Sequence, residues 1–103
     1  MVALVYTTMD DIIDARKIAH VLVEEQIVAC VNIIPSVESV YKWKGKVEDA
    51  QEIILLAKTV DENIKKTIQR IKDFHPYEIP GIVVLPIVGG SKDFLDYINR
   101  ETA

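Results

Sequence analysis

Residues 2–7, VALVYT, form a short apolar run with the composition of a strand buried on both faces. Beyond it the periodicity changes. Ile12, Ala15, Ala19 and Leu22 recur at helical spacing, and Thr8 with Asp11 three residues later fits the start of that helix. Strand character returns from Ile27 to Ile34, is interrupted by Pro35-Ser36, and resumes in VESVYKW, residues 37–43, with Val37, Ser39, Tyr41 and Trp43 on one side. Because proline cannot donate a ladder hydrogen bond, the interruption predicts a bulge or kink. Lys44-Gly45-Lys46 supplies a turn, and residues 47–59, VEDAQEIILLAKT, run back as the partner strand.

The second half repeats the alternation. Thr59 and Glu62 stand at capping-box spacing ahead of an apolar stripe, Ile64, Ile68 and Ile71, and Pro76 forces that helix to end. Residues 81–88, GIVVLPIV, predict a fourth strand whose Pro86 places its end at a sheet edge or bulge. After Gly89-Gly90, Ser91 is placed to cap a last short helix whose Phe94, Leu95 and Ile98 would pack on the sheet. The order βαββαβ with a terminal helix predicts an α+β, ferredoxin-like fold, an antiparallel sheet with its helices on one face. The hairpin arms are about double the usual strand length of ~5–6 residues. A projecting ribbon of that kind would expose Val37, Tyr41 and Trp43, and pairing with another subunit would cover the surplus edge.

A length of 103 residues with 50% hydrophobic side chains reads as one domain, 1–103, able to build a core without disulfides or a structural metal. Neither internal repeat nor low-complexity segment interrupts it. The single cysteine, Cys30, cannot form an internal disulfide, which fits a reducing compartment and predicts a cytoplasmic protein. The opening MVALVYTTMDD has no basic flank and too short an apolar run for a signal peptide, and no stretch approaches a membrane span. Sixteen acidic against twelve basic residues give a formal charge of -4, and Lys65, Lys66, Arg70 and Lys72 read as a solvated helix face flanked by Asp61, Glu62 and Asp73. A nucleic-acid partner is not expected. The strand segment EIILLAK carries no base-stacking ring, and the loop TTMDD would repel phosphate.

With two histidines and one cysteine, chemistry has few places to reside. Cys30, in the middle of IVACVNII, reads as an inert buried hydrophobe rather than a nucleophile, and His20 as a surface side chain of the first helix. DFHPYEIPGIVVLPI, residues 73–87, is the richer stretch, because Pro76 and Pro80 hold an imidazole, a phenol and a carboxylate, His75, Tyr77 and Glu78, within four residues. Two readings stay open. HPYEIP is either a rigid connector, with His75 capping helix carbonyls and Tyr77 closing the core, or part of a site.

HPYEIP after a helix, with ACVNIIP, SVYKWKGK and ILLAKT at the right intervals, resembles the CutA family of divalent cation tolerance proteins, from VYTT in the first strand to DFLDYI in the last helix. The resemblance implies a ferredoxin-like subunit and a homotrimer whose long hairpins pair between subunits. It further implies tolerance to divalent metals, copper in particular, a trimer like that of PII signalling proteins, and an intersubunit cleft lined by Cys30, Tyr41, Trp43, Lys58, His75, Tyr77 and Glu78. His75 and Glu78 are the expected metal ligands, with no obligatory cofactor. Some relatives carry a first-strand cysteine where this chain has Tyr6, and paired histidines where it has Phe74 and His75, so copper binding is expected to be weak. The expected role is a non-enzymatic trimer binding metal or a small ligand. The alternatives are a PII-like sensor of a small anion, held by Lys58 and His75, and a structural trimer that acts through a partner protein.

Overall fold

A computed structural model describes residues 1–103. Strands β1 (Val2–Met9), β2 (Cys30–Trp43), β3 (Lys46–Val60) and β4 (Ile82–Ile87) form one sheet of order β2-β3-β1-β4, and all three pairings are antiparallel. Helices α1 (Ile12–Glu24), α2 (Ile64–Phe74) and α3 (Lys92–Arg100) complete the predicted βαββαβ order with its terminal helix. The fold is α+β, as expected.

Alternation along β1 divides the sheet into two faces. Val5 and Met9 point to the face carrying α1 and α2, where they join Ala15, Ile18 and Leu22 of α1, Leu55 and Ala57 of β3 and Ile71 of α2 in the main core. Helix α2 is fastened to the end of α1 by Arg70, whose Nε and Nη2 donate to the Glu25 carboxylate at 2.9 and 2.6 Å. The opposite face carries Leu4, Tyr6, Ile54, Leu56, Val83 and Leu85, which the register places together. Only one end of that face is covered. There α3 packs Ile98 against Val2, Ala29 and Val60 in a second, smaller cluster. The expectation of helices on one face is therefore corrected: α3 lies on the other side from α1 and α2, because its anchor is fully buried while Phe94 remains 43% exposed and stacks on Tyr97.

Three local readings also change. Asp11, not Thr8, caps α1, its Oδ1 accepting from the backbone N–H groups of Ile13 and Asp14. Thr59 lies inside β3 rather than at a capping box, and its hydroxyl donates to the Ile27 carbonyl at 2.6 Å. Ile27–Ala29 precede β2 instead of opening it, because a left-handed Gln26, φ 57°, turns the chain out of α1 and Thr59 and Asn63 both donate to Ile27 O.

The interruption at Pro35-Ser36 is a bulge. Ile34 pairs with Ile54 and Val37 with Glu52, so β2 holds one more residue than β3 across that interval. The extra residue reverses the alternation, and Val37, Ser39, Tyr41 and Trp43 land on the same face as Cys30 and Asn32. Past Ile53, β3 has no neighbour other than β2, and the hairpin projects as a two-stranded ribbon. It closes on Lys44 and Gly45, φ 51° and 82°, the left-handed pair that a two-residue loop between Trp43 and Lys46 requires.

Truncating Ile98 to alanine should lower stability by about 2–5 kcal/mol, whereas Phe94→Ala should lower it far less. Urea denaturation of the two variants checks this, and equal losses would contradict the placement of α3.

Candidate functional site

The open face, the foot of the hairpin and the loop after α2 enclose a cleft of about 540 Å³. Its floor is strand: Tyr6 and Thr8 of β1, followed by Asp10, with Ala50 and Glu52 of β3. The hairpin wall is Ser39, Tyr41 and Trp43, and the loop wall runs from Tyr77 through Ile79 to Gly81. Tyr41 and Trp43 reach this wall because of the bulge, which sets their side of the ribbon in phase with Glu52. Trp43 remains 37% exposed, its ring lying 5.7 Å from the Lys44 ammonium.

Two residues of HPYEIP fix the loop wall. His75 ends α2 with its backbone N–H on Ile71 O, and its ring turns away from the helix toward the end of β1. Nε2 lies 2.7 Å from the Thr8 carbonyl, which can only accept, and Nδ1 lies 3.2 Å from the Tyr77 backbone N–H, which can only donate. Both ring nitrogens are thus engaged within the chain, in a side chain 9% exposed. The expected capping of helix carbonyls by this ring is corrected accordingly. Tyr77 packs edge-on against it, centroids 4.8 Å apart, and directs its hydroxyl to Glu52 Oε2 at 2.6 Å.

Glu52 is the residue that sequence reasoning missed. It is 8% exposed, and its Oε1 has no hydrogen-bond partner within the chain yet is not sealed from solvent, so it opens on the cleft. The available signal was a carboxylate at the start of the strand run EIILLAK, whose neighbours are apolar. Burial against this carboxylate raises the Tyr77 phenol well above its ordinary value. Desolvation is the largest cause, then the hydrogen bond to Glu52, then the charges of Glu52, Asp10 and Tyr41.

Of the residues expected in a cleft between subunits, Tyr41, Trp43, Tyr77 and Glu78 line this cleft of a single subunit, and His75 stands behind Tyr77. Cys30 and Lys58 do not join them. They pair with each other across β2 and β3, six positions along β3 from Glu52, about 20 Å at strand rise, and the Lys58 ammonium donates to Asn32 Oδ1. Cys30 is partly exposed rather than buried. No group of three or more His, Cys, Asp and Glu side chains comes together in a metal-holding arrangement. His20 is exposed on α1, 3.8 Å from Glu24. No helix is long and apolar enough to cross a membrane.

Residues 3–101 match the family model of the CutA1 divalent ion tolerance protein. A divalent-cation tolerance protein CutA of Thermus thermophilus is 47% identical over 88 residues, 85% of each chain, and a chloroplastic CutA of Arabidopsis thaliana is 37% identical over 98 residues. The chain spans 95% of its own length in the latter comparison but only 54% of the plant protein. Among solved structures, the Thermus thermophilus protein superposes with a TM-score of 0.96 at 43% identity over 100% of both chains. A periplasmic CutA of Archaeoglobus fulgidus superposes with a TM-score of 0.94 at 36% identity over 98% of each.

Tyr77→Phe leaves the buried Glu52 oxygen without its donor and should lower stability by about 1–3 kcal/mol. The pH dependence has a definite sign. A phenol whose value is raised on folding contributes stability that is full below its unfolded value near 10 and is lost as pH rises through the higher folded value. Denaturation at successive pH values above 10 should therefore show a decline in the native protein that is shallower in Tyr77→Phe. Parallel curves would remove the Tyr77–Glu52 bond from the account.

Proposed function

The chain belongs to the CutA1 divalent ion tolerance family, and from that membership we propose that it acts in divalent cation tolerance as a non-catalytic homotrimer whose cleft binds a cation. The observation that carries this reading is the charge of the cleft. Its ionisable acids are Asp10, Glu52 and Glu78, and no lysine or arginine lines it. An anion sensor needs the opposite. Lys58, the cation expected to hold an anion, is engaged by Asn32 at the far end of the open face.

The uncovered sheet face supports assembly. Val83 and Leu85 remain 53% and 45% exposed, and Val40 and Val47 of the projecting ribbon are as open, which is more apolar surface than a monomer of this size keeps without a partner. Pairing of ribbons between three subunits covers this surface and brings a neighbour's groups to the rim of each cleft. The free thiol of Cys30 fits a reducing compartment, the cytoplasm.

The side chains of one subunit do not fit a closed copper centre. Copper prefers nitrogen and sulfur donors, whereas the cleft offers carboxylate and phenol oxygens. Glu78 is exposed and available as one ligand. His75 can be a second only by releasing Thr8 or Tyr77. A metal ion bound here takes the rest of its shell from water or a neighbouring subunit.

At micromolar concentration the protein should sediment as a trimer, and Leu85→Glu, which sets a charge in the open face, should yield smaller species. A folded wild-type monomer would end the reading of the assembly. In calorimetric titration Cu(II) should bind weakly and reversibly, and Glu78→Gln should weaken it further. Tight copper binding unaffected by Glu78→Gln would place the metal elsewhere.

A further inference from the structure

We propose that the cleft recognises a small organic ammonium ion, a primary amine of a few carbons, in addition to a weakly held metal ion. The inference rests on the reading that the cleft takes a cation, and it names the chemistry of that cation. Four aromatic side chains, Tyr6, Tyr41, Trp43 and Tyr77, line the same space as three carboxylates. Ring faces attract ammonium groups, and Trp43 already has one, that of Lys44, near its ring. They contribute nothing to the coordination shell of a metal.

Glu52 supplies the specific contact. Tyr77 holds Oε2 of this largely buried carboxylate in place, and Oε1, which solvent reaches, has no partner within the chain. A primary ammonium has three N–H donors and a positive charge, and both are what Oε1 lacks. Asp10 and Glu78 add negative charge at the rim, and the volume of about 540 Å³ lies in the range of small-ligand sites. A bare metal ion would leave most of that volume and the aromatic walls unused.

The test uses the trimer and Trp43, the only tryptophan, as reporter. 1,4-Diaminobutane is titrated against the protein, with 1-butanol and butyrate as uncharged and anionic controls. The expected result is a saturable change in emission with the diamine and none with either control. Glu52→Gln should weaken the response about tenfold to a hundredfold, as loss of a charged hydrogen bond does. Glu78→Gln, an exposed change that leaves the Tyr77 bond intact, should weaken it less, so the proposal remains testable if Glu52→Gln misfolds. No saturable response to the diamine, an equal response to butanol or butyrate, or full affinity in both variants would overturn it. Sedimentation and copper titration of the same samples are read separately, so a failure of amine recognition is distinguishable from a failure of the trimeric, cation-binding reading.

Discussion

One extra residue in β2 sets what the open face can do. Without the bulge at Pro35-Ser36, strict alternation would turn Tyr41 and Trp43 to the side of the sheet that carries α1 and α2, and the ribbon would present Val40 and Lys42 toward Glu52 instead. With it, the aromatic side of the ribbon continues the face of Tyr6 and Glu52. Proline at that point supports the irregularity, since it has no N–H for the ladder it interrupts.

The second requirement is a loop held in place against that face. Pro76 cannot continue α2, and His75 and Tyr77 then use their polar atoms on β1 and β3: the imidazole on Thr8 O and the phenol on Glu52. Each contact orients the next, because the Tyr77 backbone N–H donates to the ring that contacts Thr8. The main core, from Val5 and Met9 to Ile18, Leu22 and Ile71, holds the strands that carry both anchor points. The cleft is therefore a consequence of the fold's own fastening, with one carboxylate oxygen of Glu52 left without a partner in the chain.

Element order, the long hairpin, the bulge and the edge position of Pro86 were legible because each has a local chemical signature: period-2 or helical repeats, a glycine turn, or a missing backbone donor. Capping was less legible. Thr59 and Ser91 have the right spacing for caps, but Thr59 is drawn into the core by Ile27 O, and the Ser91 side chain makes no cap bond. The side of the sheet that α3 covers depends on which apolar residue finds a partner across the fold, and spacing could not rank Ile98 above Phe94. For the site, Tyr41, Trp43, Tyr77 and Glu78 line one cleft, while Glu52 escaped notice because a lone glutamate beside an apolar run looks like a strand end. Its importance comes from the Tyr77 hydroxyl twenty-five positions away. Nor does sequence spacing reveal that Cys30 and Lys58 stand far along the strand from that group.

The most direct measurement is the side-chain contact pattern of a Ser36 deletion by nuclear Overhauser spectroscopy. In the native protein the Tyr41 ring and the Ala50 methyl line the same cleft on diagonal positions of β2 and β3, within reach of an aromatic side chain. Deleting Ser36 removes the extra residue together with the bulge, so strict alternation from Ile34 through Pro35 again sets Val37 opposite Glu52 and Tyr41 on the cleft face. The Tyr41–Ala50 contacts should then persist, as should those between Ile18, Leu22 and Leu55 in the core. Loss of the Tyr41–Ala50 contacts in a folded deletion variant would show that a single extra residue at the bulge does not set the face on which the cleft is built.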